Sequence, residues 1–319
     1  MQSYLDFEKP VADLEGKIAE LKSLSGADKA VSIDDEVAAL ASRADQALAD
    51  IYKKLTPWQR TQVARHPQRP HFSNYVEALI TDWTPLAGDR KYGEDPALQS
   101  GFGRFNGTPV AILGQEKGSD TASRLAHNFG MANPEGYRKA VRIMDMADRF
   151  NIPVVSFVDT AGAFPGMEAE ERGQAEAIAR CTEKALELGV PNLAIIIGEG
   201  GSGGAIAIAT ANKVLMLENA IYSVISPESG ASILFKDPAK AMEMANAMKI
   251  TATDLQGFGI VDGIIAEPAG GAHRHAEAVM GSTRAAIADF LDTFPGNKGR
   301  LEIREQRREK FMAIGSALN

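Results

Sequence analysis

The chain has 319 residues, of which 45% are apolar and 24% charged, a composition typical of soluble globular proteins. Its net charge of −8 and its pI near 5.3 argue against general binding to nucleic acid. The single cysteine, Cys181, excludes a disulfide framework and a zinc ribbon within the chain. Asp6, Glu8 and Asp13 argue against a signal peptide, and no apolar run approaches the ~18 residues of a membrane span. We therefore expect a cytoplasmic protein.

Two amphipathic patterns at the start of the chain predict helices. Apolar residues recur at spacings of three and four from Phe7 to Leu21 and again from Val37 to Leu55. Ser32 is the expected N-cap of the second helix, because acidic residues follow it in the first turn. The pair predicts an antiparallel helical hairpin, packed either on the main body or on another subunit.

Short helices are expected to continue up to residue 85. Thr56 and Pro57 have the residue types expected at an N-cap and at a first helical position. A further helix is predicted from Tyr75 to Trp83. Between them, the two prolines within residues 66–70 forbid a helix, so this segment is either an exposed functional loop or a rigid connector. Residues 1–85 are assigned to an N-terminal helical region.

From residue 86 the pattern changes to alternating strands and helices. The Asn106-Gly107 pair predicts a β-hairpin turn. Strands are predicted at 109–113, 154–158, 193–197, 214–217 and 222–225, with helices at 136–150 and 168–188. This alternation predicts the α/β class with mostly parallel strands over residues 86–296. The charged residues 300–310 predict a final helix within 297–319, either solvated or in contact with another subunit.

Two glycine-rich loops follow predicted strands and mark the candidate site. They comprise Asp159–Gly166 and Gly198–Ala205. Because sites in such sheets gather where strands end and helices begin, we expect the two loops to face one another. In the second loop, consecutive glycines at a helix start leave backbone N–H groups accessible to an anion or a developing oxyanion. The alternative is that these glycines only allow tight strand–helix packing, although one or two would suffice for that.

The second loop fits the dinucleotide-binding fingerprint in form only. Gly198, Gly200 and Gly203 have the required spacing, and Glu218 lies near the position expected for the ribose-binding acid. Only about two turns of helix fit before Lys213, however, whereas that fold needs a longer crossover. The P-loop pattern is not matched either, because no lysine follows the last glycine.

A serine hydrolase is the main enzymatic alternative. Residues 200–204 fit the Gly-x-Ser-x-Gly nucleophile elbow, with Ser202 as the nucleophile. Asp262 could supply the acid and either His273 or His275 the base, in the chain order of that class. The crowded glycines explain the same match without any nucleophile, so this alternative stays open.

Ordered motifs run along almost the whole chain. They are Leu86–Arg90, Asn128–Met131, Pro134–Ala140, Ala169–Gln174, Val190–Pro191, Ile197–Ala205, Tyr222–Glu228 and Glu267–Arg274, with weaker matches at Leu5–Glu8 and Arg65–Pro70. In these motifs the chain resembles the alpha subunits of bacterial acetyl-CoA carboxylase carboxyltransferases. It departs from that pattern at Ala161, where proline is common, at Phe164, where tyrosine is common, and at Ser229-Gly230. These departures concern loop detail more than the reaction.

The resemblance implies a fold and a reaction. The fold would be α/β and crotonase-like (ClpP/crotonase), a superhelix of β-β-α turns with an N-terminal helical extension. The chain would be half of an enzyme that transfers a carboxyl group from carboxybiotin to acetyl-CoA. The product would be malonyl-CoA, in the first committed step of fatty acid synthesis.

The resemblance also implies partners. Biotin would be attached to a biotin carboxyl carrier protein and carboxylated by an ATP-using biotin carboxylase. A carboxyltransferase beta subunit would complete an α2β2 unit, with each active site between the two kinds of subunit. The zinc ribbon and the hole for acetyl-CoA would belong to the beta subunit. No metal is assigned to this chain, whose five histidines lack metal-ligand spacing.

The resemblance assigns roles within the glycine loops. The amides of Gly203 and Gly204 are expected to form an oxyanion hole for the ureido oxygen of biotin, which needs no side-chain nucleophile. Phe164 would exclude water from the biotin pocket. The expected walls of that pocket are Gly162, Ala163, Phe164, Pro165, Gly166, Gly200 and Gly201. A catalytically silent scaffold subunit is the remaining alternative.

Overall fold

The computed structural model describes residues 3–25, 34–294 and 299–316. The helices are α1 (Lys9–Ser25), α2 (Asp34–Tyr52), α3 (Pro57–Ala64), α4 (Phe72–Leu79), α5 (Thr121–Ala126), α6 (Pro134–Arg149), α7 (Met167–Glu171), α8 (Gln174–Glu187), α9 (Ser202–Ala209), α10 (Pro227–Leu234), α11 (Ala241–Ala247), α12 (Ala252–Gly257), α13 (Ala276–Asp292) and α14 (Arg300–Ala313). The strands are β1 (Thr81–Pro85), β2 (Leu98–Phe105), β3 (Thr108–Gln115), β4 (Val154–Thr160), β5 (Asn192–Gly201), β6 (Lys213–Leu217), β7 (Ile221–Ser223) and β8 (Gly263–Ile265). None of the helices in the described ranges combines the length and apolarity that crossing a membrane demands.

The strands form one eight-stranded sheet within the described residues. Its order is β1-β2-β3-β4-β5-β6-β8, and β7 pairs with the carboxyl end of β5. The β1–β2 and β2–β3 pairs are antiparallel, whereas the remaining pairs are parallel. Helices connect most of the parallel strands, so the predicted α/β class with mostly parallel strands is confirmed.

The hairpin predicted at Asn106-Gly107 joins β2 to β3. Both residues have positive φ, 47° and 83°, as the two central positions of a type I′ turn require. Phe105 therefore pairs with Thr108 directly across the turn, and the register continues without interruption along both strands. This register places Gln115 at the end of β3, beside the ends of the parallel strands.

β5 is the central strand, and all ten of its residues are buried. After Asn192, the residues Leu193–Ile197 are all apolar, as expected for a parallel strand that is covered on both faces. β5 pairs with β6 up to Ile196 and with β7 from Glu199 onward. This change of partner occurs at the start of the glycine turn. The turn therefore lies at the carboxyl end of β5, where β7 replaces β6 as the neighbouring strand.

α1 and α2 form the predicted antiparallel hairpin and pack on the main body of the same chain. Tyr52, the last residue of α2, donates a hydrogen bond to Glu8, which precedes α1 (2.9 Å). Arg274 of the main body lies 3.0 Å from a carboxylate oxygen of Glu15 in α1. Ser32, the predicted cap of the second helix, lies outside the described residues.

The helix predicted from Tyr75 to Trp83 is wrong in its second half. α4 ends at Leu79, and Trp83 lies in the middle of β1. Thr81 and Thr84 favour an extended backbone in this segment, and antiparallel pairing with β2 stabilises it. The apolar spacing that suggested a helix was overridden by a strand partner more than ten residues further along the chain.

The helix predicted at 168–188 is two helices. Gly173 lies between α7 and α8 with a φ of 84°, a left-handed conformation that ends a helical turn. The strand predicted at 222–225 also differs, because β7 ends at Ser223. Its partner β5 ends opposite this residue, at Gly201, so β5 offers no further residue for Val224 to pair with.

Residues 66–70 form a connector whose first residue and last two residues are buried. His66 and Arg69 are only 2% and 3% exposed, so an exposed functional loop is wrong for these side chains. The ring of His66 stacks on that of His273 with 3.8 Å between the centroids. The two prolines stiffen a segment in which His66 and Arg69 are buried, whereas Pro67 and Gln68 are exposed.

α14 packs across the amino end of β5 through Ile303 and Arg307, and most of its other residues are exposed, as expected for a solvated helix. Contact with another subunit stays a prediction. Arg307 is fully buried and donates to five neutral oxygen atoms. These acceptors are the carbonyl oxygens of Leu186, Leu188 and Val190 and the side-chain oxygens of Asn192 and Asn212. Burial and the neighbouring Arg304 lower the pKa of Arg307 to about 10.

Candidate active site

The two glycine loops face one another at the carboxyl ends of β4 and β5, as predicted. A Cβ atom at Gly201 would overlap the carbonyl group of Ala161. A Cβ atom at Gly204 would lie 2.6 Å from the carbonyl carbon of Gly162 and 2.7 Å from the nitrogen of Ala163. The two backbones therefore touch with no room for a side chain between them, which explains glycine at positions 201 and 204.

The other glycines of the turn have different surroundings. A Cβ atom at Gly198 would lie 2.5 Å from the Asp159 carboxylate, and one at Gly200 would lie 2.8 Å from the ring of Tyr222. The packing interpretation therefore holds for these two positions. At Gly203, by contrast, the described residues offer only Ile178 as a neighbour, at 3.4 Å. Packing does not require glycine there.

Ser202 converts the strand into a helix within one residue. Its φ is 51°, and α9 begins at this residue directly after β5. The N–H groups in the first turn of a helix have no carbonyl acceptor within that helix. The turn at Gly203 and Gly204 thus presents backbone donors at the positive end of the α9 dipole, beside the loop at Gly162.

Two side chains hold the shape of the first loop. Thr160 Oγ1 accepts a hydrogen bond from the Gly162 N–H (3.1 Å) and donates to the Gly162 carbonyl (2.6 Å). Gln174 Nε2 donates to the carbonyl oxygens of Ala132 and Phe164, both at 2.9 Å. The loop is therefore fixed by its own chain before any ligand binds.

The five candidate pocket residues of this loop do not have equivalent positions. Gly162 and Ala163 border Gly204 directly. Phe164 is half-buried, and its ring fills the space that a Cβ atom at Gly166 would need. Pro165 is exposed. The structure therefore brings only the first two residues against the glycine turn.

A buried glutamine that sequence reasoning missed forms hydrogen bonds to both loops. Gln115 Nε2 donates to the Gly204 carbonyl (2.9 Å), and its Oε1 accepts from the Asp159 N–H (3.1 Å). The side chain is fully buried. Only the pairing of β3 with β4 brings Gln115 to this place, so neither spacing nor residue type could have predicted it.

Charged side chains form a second group that sequence reasoning missed. Lys117 Nζ lies 2.7 Å from Asp159 Oδ1 and 3.6 Å from a carboxylate oxygen of Glu199. Arg65 pairs with Glu199 at 2.6 Å and with Glu228 at 2.7 Å. Burial by itself would raise the pKa of Asp159, but Lys117 and the hydrogen bonds to this carboxylate lower it to about 2. Asp159 is therefore ionised at neutral pH.

The serine hydrolase alternative is excluded by the position of Asp262, its candidate acid. Ser202 does have the strained backbone conformation of a nucleophile elbow. Asp262 accepts a hydrogen bond from the Val214 N–H at the start of β6 (2.6 Å). Val214 pairs with Ala194, eight residues before Ser202 on β5. At about 3.3 Å per residue, Asp262 lies on the order of 25 Å from Ser202. The two residues therefore lie at opposite ends of the parallel strands.

The remaining parts of both alternative motifs are also out of place. No hydrogen bond joins Ser202 to His273 or His275 within the described residues, and His273 is stacked on His66. α9 has eight residues, about two turns, which is too short for the crossover helix of a dinucleotide fold.

Relatives of known name match the whole chain. A family model described as acetyl co-enzyme A carboxylase carboxyltransferase-like matches residues 4–315. The acetyl-coenzyme A carboxylase carboxyl transferase subunit alpha of Nitrobacter winogradskyi is 64% identical over 320 residues, which cover 100% of this chain and 98% of that protein. The protein of the same name from Xanthobacter autotrophicus is 63% identical over 318 residues, which cover 100% of both.

Solved structures of a transcarboxylase and of a malonate decarboxylase share the fold. The transcarboxylase 12S structure with methylmalonyl-coenzyme A bound has a TM-score of 0.58 and 24% identity, covering 71% of this chain and 42% of that chain. A Pseudomonas malonate decarboxylase hetero-tetramer has a TM-score of 0.59 and 17% identity, covering 76% of this chain and 96% of that chain. The predicted crotonase-like fold is thereby confirmed. With the family match along nearly its whole length, the chain belongs to the family of acetyl-coenzyme A carboxylase carboxyl transferase alpha subunits.

Proposed function

We propose that this chain is the alpha half of an enzyme that transfers a carboxyl group from biotin on a carrier protein to acetyl-CoA, giving malonyl-CoA. Membership of the family supports the reaction class. The observation that carries the proposal is the contact between the turn at Gly203-Gly204 and the loop at Gly162. This contact sets helix-start N–H donors beside a wall of backbone atoms.

The donors of the turn fit the ureido group of biotin. Consecutive backbone N–H groups at a helix start favour an oxygen that carries or develops negative charge. Gly203 has no side chain on its open side, so a flat ring can approach the backbone closely. Carboxybiotin supplies, when bound, the carboxyl group and a ureido oxygen that gains negative charge as this group leaves.

In this proposal the amides of Gly203 and Gly204 form the oxyanion hole for that oxygen. One such donor contributes roughly 2.7–4 kcal/mol to stabilising a transition state. Because both donors belong to the backbone, no nucleophilic side chain takes part. Ser202 has a conformational role, since its φ of 51° turns the strand into the helix that carries the donors.

The neighbouring loop supplies the walls of the biotin pocket. The touching backbones of Gly162 and Gly204 support this placement. Phe164 excludes water from the pocket, in the position where the family commonly has tyrosine. The proposed wall residues are Gly162, Ala163, Phe164, Pro165, Gly166, Gly200 and Gly201.

The proposed enzyme works only with partner proteins. A carboxyltransferase beta subunit holds the thioester of acetyl-CoA and a zinc ribbon, and completes an α2β2 assembly. A biotin carboxyl carrier protein delivers the biotin, and an ATP-using biotin carboxylase charges it. We propose a cytoplasmic place in fatty acid synthesis. Residues 1–85, 86–296 and 297–319 remain our proposed helical, catalytic and C-terminal regions.

The test is malonyl-CoA formation by the purified complex with the beta subunit and biotinylated carrier protein. Gly203→Val should lower the rate more than about 100-fold, because the loss of one oxyanion-hole donor has an effect of that size. Assembly should be preserved, because among the described residues only Ile178 lies near the new side chain. Gly204→Val should also abolish transfer, but its side chain would displace Gly162 and therefore disturb the loop as well.

Ser202→Gly is the matched control, because glycine adopts the positive φ without strain and the substitution removes the whole hydroxymethyl side chain. It should keep the transfer rate within about twofold, since the donors stay in place. Full activity in Gly203→Val would overturn the assignment and favour a scaffold subunit. Loss of activity in Ser202→Gly would instead indicate a nucleophilic serine.

A further inference from the structure

We propose that Gln115 is the positioning residue of the glycine turn, and that it determines the catalytic rate by holding Gly204 and the Asp159 loop at a fixed separation. This inference rests on the proposed carboxyl transfer. Its basis is one buried side chain that bonds to both loops at once, donating to the Gly204 carbonyl at 2.9 Å and accepting from the Asp159 N–H at 3.1 Å.

The turn needs an external constraint because its own residues provide little. Gly203 and Gly204 have no Cβ atoms, so their backbone dihedrals have a far wider range than those of other residues. An oxyanion hole stabilises a transition state only if its N–H groups already point at the developing charge. A hydrogen bond to the Gly204 carbonyl fixes the orientation of this residue from outside the turn.

The second bond of Gln115 relates the turn to the facing loop. The Asp159 N–H belongs to the last residues of β4, immediately before the loop that runs to Gly166. The same amide group therefore sets the position of both walls of the gap. Its donor and acceptor are joined by a rigid planar group, so the two loops cannot move apart without breaking one of the two bonds.

An amide is the side chain that this geometry requires. Gly204 offers an acceptor and Asp159 offers a donor, so the bridging group must have one of each. Methionine has a similar length but makes neither bond. Glutamate has the same shape, yet when ionised it has only acceptors and repels the Gly204 carbonyl. When protonated it can donate to Gly204 and accept from Asp159.

The experiment compares Gln115→Met and Gln115→Glu in the complex with the beta subunit, using biotin-dependent malonyl-CoA formation. Gln115→Met should lower kcat by about 10- to 100-fold, the effect expected when the donors of the oxyanion hole are displaced by about 1 Å or less. KM for acetyl-CoA should stay within about twofold, because the thioester is held by the other subunit. A purely structural residue would not separate kcat from KM in this way.

Asn192→Leu is the matched control. Asn192 is also a buried amide that bonds to two chain segments, through the Thr210 carbonyl and the Asn212 N–H, but at the opposite end of β5. Its loss should lower the melting temperature at least as much as Gln115→Met does, with kcat within about twofold of the wild type. Equal kcat losses in the two variants would overturn the proposal.

Gln115→Glu provides a second, independent readout. Its kcat relative to that of the wild type should rise as pH falls, because protonation restores the donor to Gly204. Burial raises the pKa of such a carboxyl group, so the rise should occur at an accessible pH. A ratio that is flat with pH while the complex stays folded would overturn the proposal, even if Gln115→Met failed to assemble.

The same experiment separates an error in the proposed carboxyl transfer from an error in the role of Gln115. If the wild-type complex forms no malonyl-CoA, the proposed function is wrong and the role of Gln115 falls with it. If the wild type is active and Gln115→Met keeps full kcat, only the positioning role is wrong.

Discussion

The Arg69 guanidinium donates a hydrogen bond to the Ile197 carbonyl (2.8 Å) at the point where β5 leaves β6 and joins β7. Ile197 lies between the β5–β6 and β5–β7 pairings, so without Arg69 its carbonyl group would be buried without a hydrogen-bond donor. Arg69 is held in turn by Glu267, at 2.9 and 2.5 Å. Glu267 also accepts from the N–H groups of Asn219 and Ala272. A buried ion pair thus fixes the strand immediately before the glycine turn.

Arg69→Met should lower the free energy of unfolding by about 3–5 kcal/mol, because it leaves the Glu267 carboxylate buried without its counter-charge. Urea unfolding measures the change. Arg180→Met is the control, since Arg180 pairs with Glu176 on an exposed helix surface and its loss should cost less than about 1 kcal/mol. Replacing Arg69 and Glu267 together by apolar residues should recover much of the loss. A double variant as unstable as Arg69→Met would contradict the ion-pair explanation.

Lys117→Met should make stability depend on the protonation of Asp159. With Lys117 present, the pKa of Asp159 is about 2, below its ordinary value of 3.8, so its contribution is present above pH 4 and is lost as pH falls towards 2. Without the ammonium group, burial raises this pKa. The variant should therefore be less stable than the wild type by about 3 kcal/mol at pH 7 and by less at pH 4. Unfolding at both pH values tests this, and an equal deficit at the two would contradict it.

His273 should make the fold sensitive to acid. Burial, followed by its neighbour His66, lowers the pKa of His273 to about 3, and neither ring nitrogen has a hydrogen-bond partner in the described residues. The unfolded chain, with a histidine pKa near 6.5, binds a proton first, so stability is lost as pH falls from about 6.5 towards 3.

His273→Phe keeps an aromatic ring against His66 and removes this titration. The variant should lose roughly 1–2 kcal/mol less than the wild type between pH 7 and pH 4, measured by urea unfolding. His275→Phe, at an exposed position, is the control and should leave the pH dependence unchanged. Identical pH profiles for wild type and His273→Phe would show that another group controls acid unfolding.

Arg307→Met should detach α14 from the amino end of β5. The substitution removes five hydrogen bonds and leaves the carbonyl groups of Leu186, Leu188 and Val190 without their donor. We expect a loss of about 3 kcal/mol in the free energy of unfolding and faster proteolysis within residues 299–316. Arg304→Met, one turn earlier on the exposed side, should change neither measurement. Equal protease resistance of the two variants would argue against this role.

The elements with strong local signals were predictable, and those that depend on a distant partner were not. Asn106-Gly107 specifies its hairpin because few other residue pairs adopt two positive φ angles in succession. The spacing around Trp83 predicts a helix, because the pairing of its segment with the distant strand β2 cannot be inferred from the residues around it. The break in the predicted helix at Gly173 could not be foreseen, because the sequence does not reveal whether a single glycine in a helical pattern has a positive φ.

The sequence by itself determined the α/β class, the family and the two glycine loops, because periodicity and turn chemistry are encoded within a few neighbouring residues. It also placed the candidate donors at Gly203 and Gly204 in a strand-to-helix turn. Only the tertiary structure decided which side chains hold that turn. Gln115 acts across 89 residues on Gly204, and Arg69 acts across 128 residues on Ile197. Such partners depend on strand order and register, which form only when the distant parts of the chain pack together.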